Sequence, residues 1–265
     1  MSDSPDYTVA DDLAVALTLA AEADLIAMDR YRSQDLGIQT KADKSIVTDA
    51  DTRVEGMIRA HLANARPHDG ILGEEFGTTG DSRRQWIVDP IDGTSNFARG
   101  VPIWGALIAL AVDGVPVVGV VSAPALERRW WGATGLGAWL QHHGGEPQRI
   151  RVSAVDDLAD ATLSYNNLQT WDQYGHLDHL IALSRRVGRT RAFGDLWSYM
   201  LLAEGAIDIA GEFDVKPWDV AALVPIIVEA GGRVSTASGG SALDELSVIA
   251  TNGALHDEVL ASLTA

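Results

Sequence analysis

The stretch WIVDPIDGTSNF, residues 86–97, sets two carboxylates, Asp89 and Asp92, at the end of an apolar Trp-Ile-Val run, with Pro90 and Ile91 between them and Gly93, Thr94 and Ser95 after them. Unpaired charge delivered by a hydrophobic strand is expensive to bury, so these acids call for a partner. Two further acidic spots share the context: Glu74 and Glu75 follow a short apolar run in GILGEEF, and Asp219 stands between Trp218 and VAALVPIIVEAGG. Each sits where a strand ends or a helix begins, which is where α/β proteins assemble sites. Each also has an ordinary structural reading. Asp219 is a good helix cap with Gly231 and Gly232 as the stop, Glu74 and Glu75 fit an exposed turn, and Asp-Pro suits the start of a turn. The three together favour one shared cation.

Carboxylate and carbonyl oxygens are hard ligands suited to Mg²⁺ or Mn²⁺. No cysteine is present, and the seven histidines form no competing set: His176 and His179 read as surface residues of a polar helix, and His142 and His143 lie in a Gly-rich loop, so a zinc site is not expected. The GTSNF segment adds a second function. Gly93 lets backbone approach a ligand closely, and Thr94 and Ser95 can open a short helix whose free N–H groups attract an anion. Cations beside an anion-binding turn suit phosphoryl transfer, in which two ions about 4 Å apart can activate a water and neutralise the leaving oxygen. Bound cations would also reverse the local field of a chain that otherwise repels phosphate.

That field is strong. Acidic residues number 37 against 20 basic ones in 265 residues, a formal charge of -17, which argues against nucleic acid or an anionic membrane as partner. The lack of cysteine excludes disulfides, thiolate metal sites and cysteine nucleophiles. An apolar fraction of 46% describes an ordinary globular protein. The acidic, polar opening MSDSPDYTVADD does not read as a secretory signal, and no apolar run reaches membrane-spanning length; a cytoplasmic location is the expectation.

The elements that must position these acids follow from periodicity. Helical spacing covers roughly 11–31 and 51–63, with short strands at 70–76 and 85–89. Continuous apolar runs at 104–112 and 115–123, joined by Asp113-Gly114, predict a buried hairpin, and 128–134 and 137–141 further strands. Beyond 160 strands alternate with helices, the latter at about 176–186, 194–205, 218–230 and 256–263, with Pro225 predicting a kink in the third. The fold class is therefore layered α/β, expected as a single domain over 1–265, with a seam near 153–160 if it divides into two lobes. Trp130, Trp131 and Trp197 are expected as core or dimer contacts.

DPIDGTSNF, the GEE motif whose first acid lies fifteen residues before Asp89, and WDVAALVPIIVEAGG resemble, in that order, the metal-dependent inositol monophosphatase family, and the similar layout covers essentially the whole chain. The resemblance implies an αβαβα sandwich and a homodimer acting on a small phosphorylated metabolite. It implies that Glu74, Asp89 and the Ile91 carbonyl hold one Mg²⁺, that Asp89, Asp92 and Asp219 hold a second, and that Glu74 helps place a third. Asp51 would pair with Thr94 to orient and deprotonate the attacking water, with Lys41 nearby, and Gly93 and Thr94 would donate N–H groups to the phosphate. Glu212, seven residues before Asp219, matches an acid that contacts the substrate alcohol. RAFGD, APALERRWW and TNGALHDEVL look like the bacterial histidinol-phosphatase branch of that family, in histidine biosynthesis; there Asp195 could pair with the substrate amine and Arg191 could reach the phosphate. The chain departs from that branch in carrying Ser95 where a lysine often follows the motif threonine. Inositol 1-phosphate or another sugar phosphate is the alternative substrate, and a non-catalytic binding protein the reading from a different class.

Overall fold

The computed structural model describes residues 7–41 and 45–264; the opening Met1–Asp6 lies outside the described residues. The chain runs α1 (Val9–Arg30), β1 (Gln39–Thr40), β2 (Ile46–Val47), α2 (Asp49–Ala65), β3 (Gly70–Gly73), β4 (Gly77–Thr79), β5 (Arg84–Asp92), α3 (Thr94–Ala98), β6 (Gly105–Val112), β7 (Val115–Ala123), β8 (Arg128–Ala133), β9 (Gly137–His142) and β10 (Gln148–Arg149). It continues through β11 (Thr162–Ser164), α4 (Leu168–Gln173), α5 (Leu177–Ser184), β12 (Arg189–Arg191), α6 (Asp195–Ala203), β13 (Ile209–Phe213), α7 (Pro217–Val220), α8 (Leu223–Glu229), β14 (Arg233–Ser235), β15 (Ser247–Thr251) and α9 (His256–Thr264).

Eight strands form one sheet in the order β10-β9-β8-β7-β6-β5-β3-β4, and five form a second in the order β12-β11-β13-β15-β14. Only β3 and β5 are parallel in the first sheet; in the second, β11 is parallel to both β12 and β13. The continuous apolar runs of β6 and β7 are explained by cover on both faces. On one face Trp86, Val88, Ile108 and Val120 pack against the Ala- and Leu-lined stripe of α1 and against Val54 and Ile58 of α2. On the other, Ile87, Leu107, Val121 and Trp130 meet Tyr199 and Met200 of α6 and Ile226 of α8, which in turn cover Ala210 and Ala250 of the second sheet. The far face of that sheet is closed by Trp171, Leu180, Leu183, Val259 and Leu263 from α4, α5 and α9. Five layers result, helices–sheet–helices–sheet–helices. The αβαβα sandwich is thus the observed architecture, and the short α4 is an element the periodicity did not predict.

Two close approaches set the middle layer. A Cβ on Gly119 of β7 would strike the Ala222 carbonyl, and one on Gly132 of β8 would strike the backbone at Ile226, so α8 lies directly on the sheet. The expected helix over 218–230 is divided into α7 and α8, with Ala221 and Ala222 between them still in helical conformation. Pro225 is the cause: its nitrogen carries no hydrogen, and its ring crowds the carbonyl four residues earlier, at Ala221. The interruption lets α7 end beside the first sheet while α8 crosses it.

Candidate active site

The site is built at the end of β5. This strand does not stop at Asp89 but continues to Asp92 through a bulge: Asp89 pairs with Leu107 and Asp92 with Gly105, three steps on β5 against two on β6. A proline inside a strand is tolerated at such a bulge, where its missing N–H is not needed. The bulge turns both acids and the intervening carbonyl toward one side. Asp89, almost fully buried, accepts the Ile91 N–H at 2.9 Å, and the Ile91 carbonyl accepts the Thr94 hydroxyl at 2.9 Å. Asp92 accepts the Leu196 N–H at 2.7 Å and so caps α6 from a segment 104 residues away. Asp219, in the first turn of α7, accepts the Lys216 N–H at 2.7 Å. Each of Asp89, Asp92 and Asp219 offers an oxygen, and the three oxygens lie within 4.8 Å of one another. Glu74 is placed next to them by the parallel β3–β5 pairing and by its own N–H, which donates to the Val88 carbonyl at 3.2 Å.

No lysine or arginine forms an ion pair with Asp89, Asp92, Asp219, Asp195 or Glu212 among the described residues. Burial, then the neighbouring charges of Glu74, Asp92 and Asp219, pushes the Asp89 carboxyl well above the usual carboxylate range. Burial, with Asp195 and Asp219 beside it, does the same to Asp92, and burial with Glu212 and Glu74 raises Asp219 to about 7. Mutual repulsion of this kind is relieved by a bound cation. The donor set, three carboxylates, suits a hard divalent ion such as Mg²⁺. Glu74 differs from the other three, because Lys41 Nζ sits 2.6 Å from it and 2.8 Å from Glu75.

Beside the acids, Asp51 at the start of α2 forms a capping box with Thr48, accepting its N–H at 2.8 Å and its hydroxyl at 2.6 Å. Its other oxygen lies 3.2 Å from the Thr94 hydroxyl. Burial pushes the Asp51 carboxyl up to about 6, with Glu74 adding to the effect. Gly93 has φ +80°, a left-handed conformation glycine adopts without strain. Its carbonyl accepts from the Asn96 and Phe97 amides, leaving the Thr94 and Ser95 amides in the first turn, where no intrahelical acceptor exists. These amides edge a cavity of about 260 Å³ lined by Glu74, Gly93, Thr94, Ser95, Asn96 and Asp195.

A second cavity, of about 220 Å³, shares Asp195 and continues along Asp92, Asp219, Asn166, Glu212 and Asp214. Glu212 on β13 accepts the Tyr199 hydroxyl at 2.9 Å and the Asn166 amide, and burial raises its carboxyl to about 7. Asp195 is not a side-chain cap of α6. It takes a left-handed backbone (φ +46°), which aspartate tolerates better than most residues, and its Oδ2 accepts from Asn96 Nδ2 at 2.9 Å. Arg191 is not brought to the site: it is exposed at the end of β12, donates to the Thr190 carbonyl and lines neither cavity.

Asn166 and Asn96 are pocket residues that periodicity did not single out. Asn166 stands two residues beyond β11 in a left-handed conformation (φ +52°), and an Asn just past a strand is the one sequence signal for it. The expectation of surface histidines is corrected in part: His176 is half-buried and stacks on Phe213 at 4.7 Å. A larger cavity of about 440 Å³ lies elsewhere, between Asp24, Ser122 and Arg129. Its acid Asp24 is held by Arg129 at 2.6 Å and Ser122 at 2.8 Å, and Glu127 lines it beside Arg128, Arg129 and His143, so cations accompany its acids, unlike those of the β5 site.

Residues 9–265 match the model of the inositol monophosphatase family. A histidinol-phosphatase of Mycobacterium tuberculosis is 53% identical over 256 residues, covering 96% of this chain and 98% of that protein. A histidinol-phosphatase of Streptomyces coelicolor is 46% identical and covers 98% of each chain. Among solved structures, the extragenic suppressor protein suhB of Bartonella henselae superposes with a TM-score of 0.85 at 30% identity, over 95% of this chain and 98% of that one. With the family model matching nearly the whole chain and the relatives aligning end to end, this chain belongs to the inositol monophosphatase family.

Proposed function

We propose that the protein hydrolyses L-histidinol phosphate to L-histidinol and phosphate, with Mg²⁺ held by Glu74, Asp89, the Ile91 carbonyl, Asp92 and Asp219. The choice of alcohol rests on the charge left in the second cavity: with Asp92 and Asp219 given to the metal and Asp214 paired with Lys216 at 2.9 Å, the acids Asp195 and Glu212 remain in its lining. Such a cavity favours a cationic leaving alcohol, one carrying an amine and an imidazole, over a neutral polyol. The names of the two bacterial relatives, both histidinol-phosphatases, support the same reading.

When bound, the ions would supply positive charge for the phosphoryl oxygens and lower the pKa of the attacking water. The chain's own groups do the rest. The Gly93 and Thr94 amides, with that of Ser95 beside them, donate to the phosphate, and the absence of a side chain on Gly93 lets it approach. The Thr94 hydroxyl accepts a hydrogen bond from water, and Asp51, raised to about 6, takes the proton through it, a range suited to a general base near neutral pH. The water oxygen attacks phosphorus as the ester P–O bond breaks, the leaving oxygen takes a proton from a solvent water while Asp51 returns its own to solvent, and the alcohol departs toward Asp195 and Glu212, which hold its amine or imidazole. The Asn166 and Tyr199 bonds keep Glu212 in place. Arg191 has no role in this scheme. A cytoplasmic homodimer is the setting that goes with this reading, and sedimentation of the purified protein tests the dimer.

Phosphate release from a panel of histidinol phosphate, inositol 1-phosphate and fructose 1,6-bisphosphate, in Mg²⁺ and in EDTA, tests the proposal. The expected result is Mg²⁺-dependent turnover with kcat/KM for histidinol phosphate at least about tenfold above the others, one charge-assisted contact being sufficient for that ratio. Equal or better turnover of inositol 1-phosphate would move the assignment to the alternative substrate. No Mg²⁺-dependent turnover of any of them would leave a binding protein.

A further inference from the structure

The GEE turn that carries Glu74 is fastened to α2 by a residue with no place in the scheme above. Glu55 is fully buried, yet it is an acid on the apolar stripe of α2, alongside Val54, Ile58 and Leu62. Its carboxylate accepts the Glu75 N–H at 2.7 Å, the Phe76 N–H at 3.2 Å and Arg59 Nε at 2.8 Å. Arg59 in turn donates to the Gly77 carbonyl and, at 2.8 Å, to the Thr79 hydroxyl. The peptide on the other side of Glu74 is held as well, its N–H donating to Val88 of β5. Glu74 is thus clamped from both sides, by β5 before it and by Glu55 after it. Gly73 belongs to the clamp, because a Cβ there would overlap the Glu55 carboxylate.

Glu55 lies one helical turn after Asp51 on the same face of α2. Asp51 reaches Thr94, and Glu55 reaches the turn that bears Glu74. One rigid helix therefore fixes the distance between the water-activating pair and a metal-binding acid. We propose that Glu55 is a positioning residue for the divalent cation: it does not touch the ion but sets the direction of Glu74, so losing it weakens metal binding rather than the chemical step. Outer residues that orient metal ligands change affinity by about 10- to 100-fold when removed. A buried anion with three donors also contributes to stability, and the test must separate the two roles.

This inference rests on the metal reading above, and calorimetric titration of Mg²⁺ into the metal-free wild type checks that reading first: without binding there, the reading itself fails. Given wild-type binding, Glu55→Gln and Glu55→Ala are titrated beside it. Gln keeps one acceptor for the Glu75 and Phe76 amides and Ala keeps none, so the dissociation constant is expected to rise in the order wild type, Gln, Ala, by about tenfold or more for Ala. At saturating Mg²⁺ the kcat of Glu55→Gln is expected to return to within about twofold of wild type. Gly73→Ala reaches the clamp from the other side and keeps the hydrogen-bonding groups, so it decides the matter if Glu55→Ala does not fold; it is expected to weaken Mg²⁺ in the same way. Lower melting temperatures with Mg²⁺ affinity unchanged in Glu55→Gln and Gly73→Ala would show a structural residue only and overturn the proposal.

Discussion

The two ends of β5 bury acids in opposite ways. At its start, Arg84 bridges Asp12 at 2.7 Å and Asp69 at 3.0 Å, Arg66 adds a second contact to Asp12 at 3.3 Å, and Trp86 donates to Asp69 at 2.9 Å. Every carboxylate there has a cation. At its end, Asp89 and Asp92 face Asp219, and no lysine or arginine pairs with them among the described residues. One strand, Arg84–Asp92, carries both clusters at its two ends. Burial alone does not make a site; uncompensated burial does, because a protein keeps unpaired charge out of water only where something else will neutralise it.

The largest effect expected from disturbing this contrast is at the unpaired end. Asp92→Asn keeps the shape and removes a charge that burial and Asp195 already disfavour. Turnover is expected to fall by more than about a hundredfold, since a direct ligand should cost more than an outer partner, while melting of the metal-free variant stays level with or above wild type. At the paired end, Arg84→Met leaves Asp69 without a cation and Asp12 with Arg66 alone, at 3.3 Å, and is expected to destabilise by about 3–5 kcal/mol. Chemical denaturation reads that loss, and the activity per folded molecule and its Mg²⁺ dependence should be unchanged.

A smaller effect follows from pH. Asp219 titrates at about 7 in the fold against an ordinary 3.8, so the folded protein binds its proton more tightly than the unfolded chain does. That stabilisation is fully present below about pH 4 and is lost as pH rises through about 7. Metal-free protein should therefore lose this contribution between about pH 4 and 7, and Mg²⁺ should offset the loss. His256 acts in the opposite sense: burial holds it down at about 4, and its contribution is lost as pH falls. The rise in melting temperature on adding Mg²⁺, compared at each pH, cancels the histidine and is expected to grow toward pH 8. The smallest effect is on selectivity. Asp195→Asn keeps an acceptor near Asn96 and removes the charge, so it should lower kcat/KM for histidinol phosphate by about tenfold with little change for inositol 1-phosphate; equal losses on both substrates would count against an amine contact.

Much of this was legible in the chain because strong signals were local. The Asp113-Gly114 hairpin, the buried runs of β6 and β7 and the alternation after residue 160 all stand in short windows with clear periods. The acids at Glu74, Asp89, Asp92 and Asp219 announced themselves as charge where apolar pattern ended. What stayed hidden depends on contacts between distant segments. Asp92 as the cap of α6 needs Leu196 beside it, and Asn96 as partner of Asp195 spans 99 residues. Glu55 carried a local signal, an acid on an apolar stripe, but its meaning needed the turn it grips. Arg191 is the reverse case, a cation near the motif in sequence that the fold turns outward.

The most direct measurement is calorimetric titration of Mg²⁺ at pH 7 into metal-free protein, wild type and Asp92→Asn, in two buffers of different ionisation enthalpy. Raised carboxyl groups must give up protons when a cation binds. Binding to the wild type is expected with proton release, seen as a buffer-dependent heat, and both are expected to be lost in Asp92→Asn. Binding without proton release, or equal binding by the variant, would contradict that expectation.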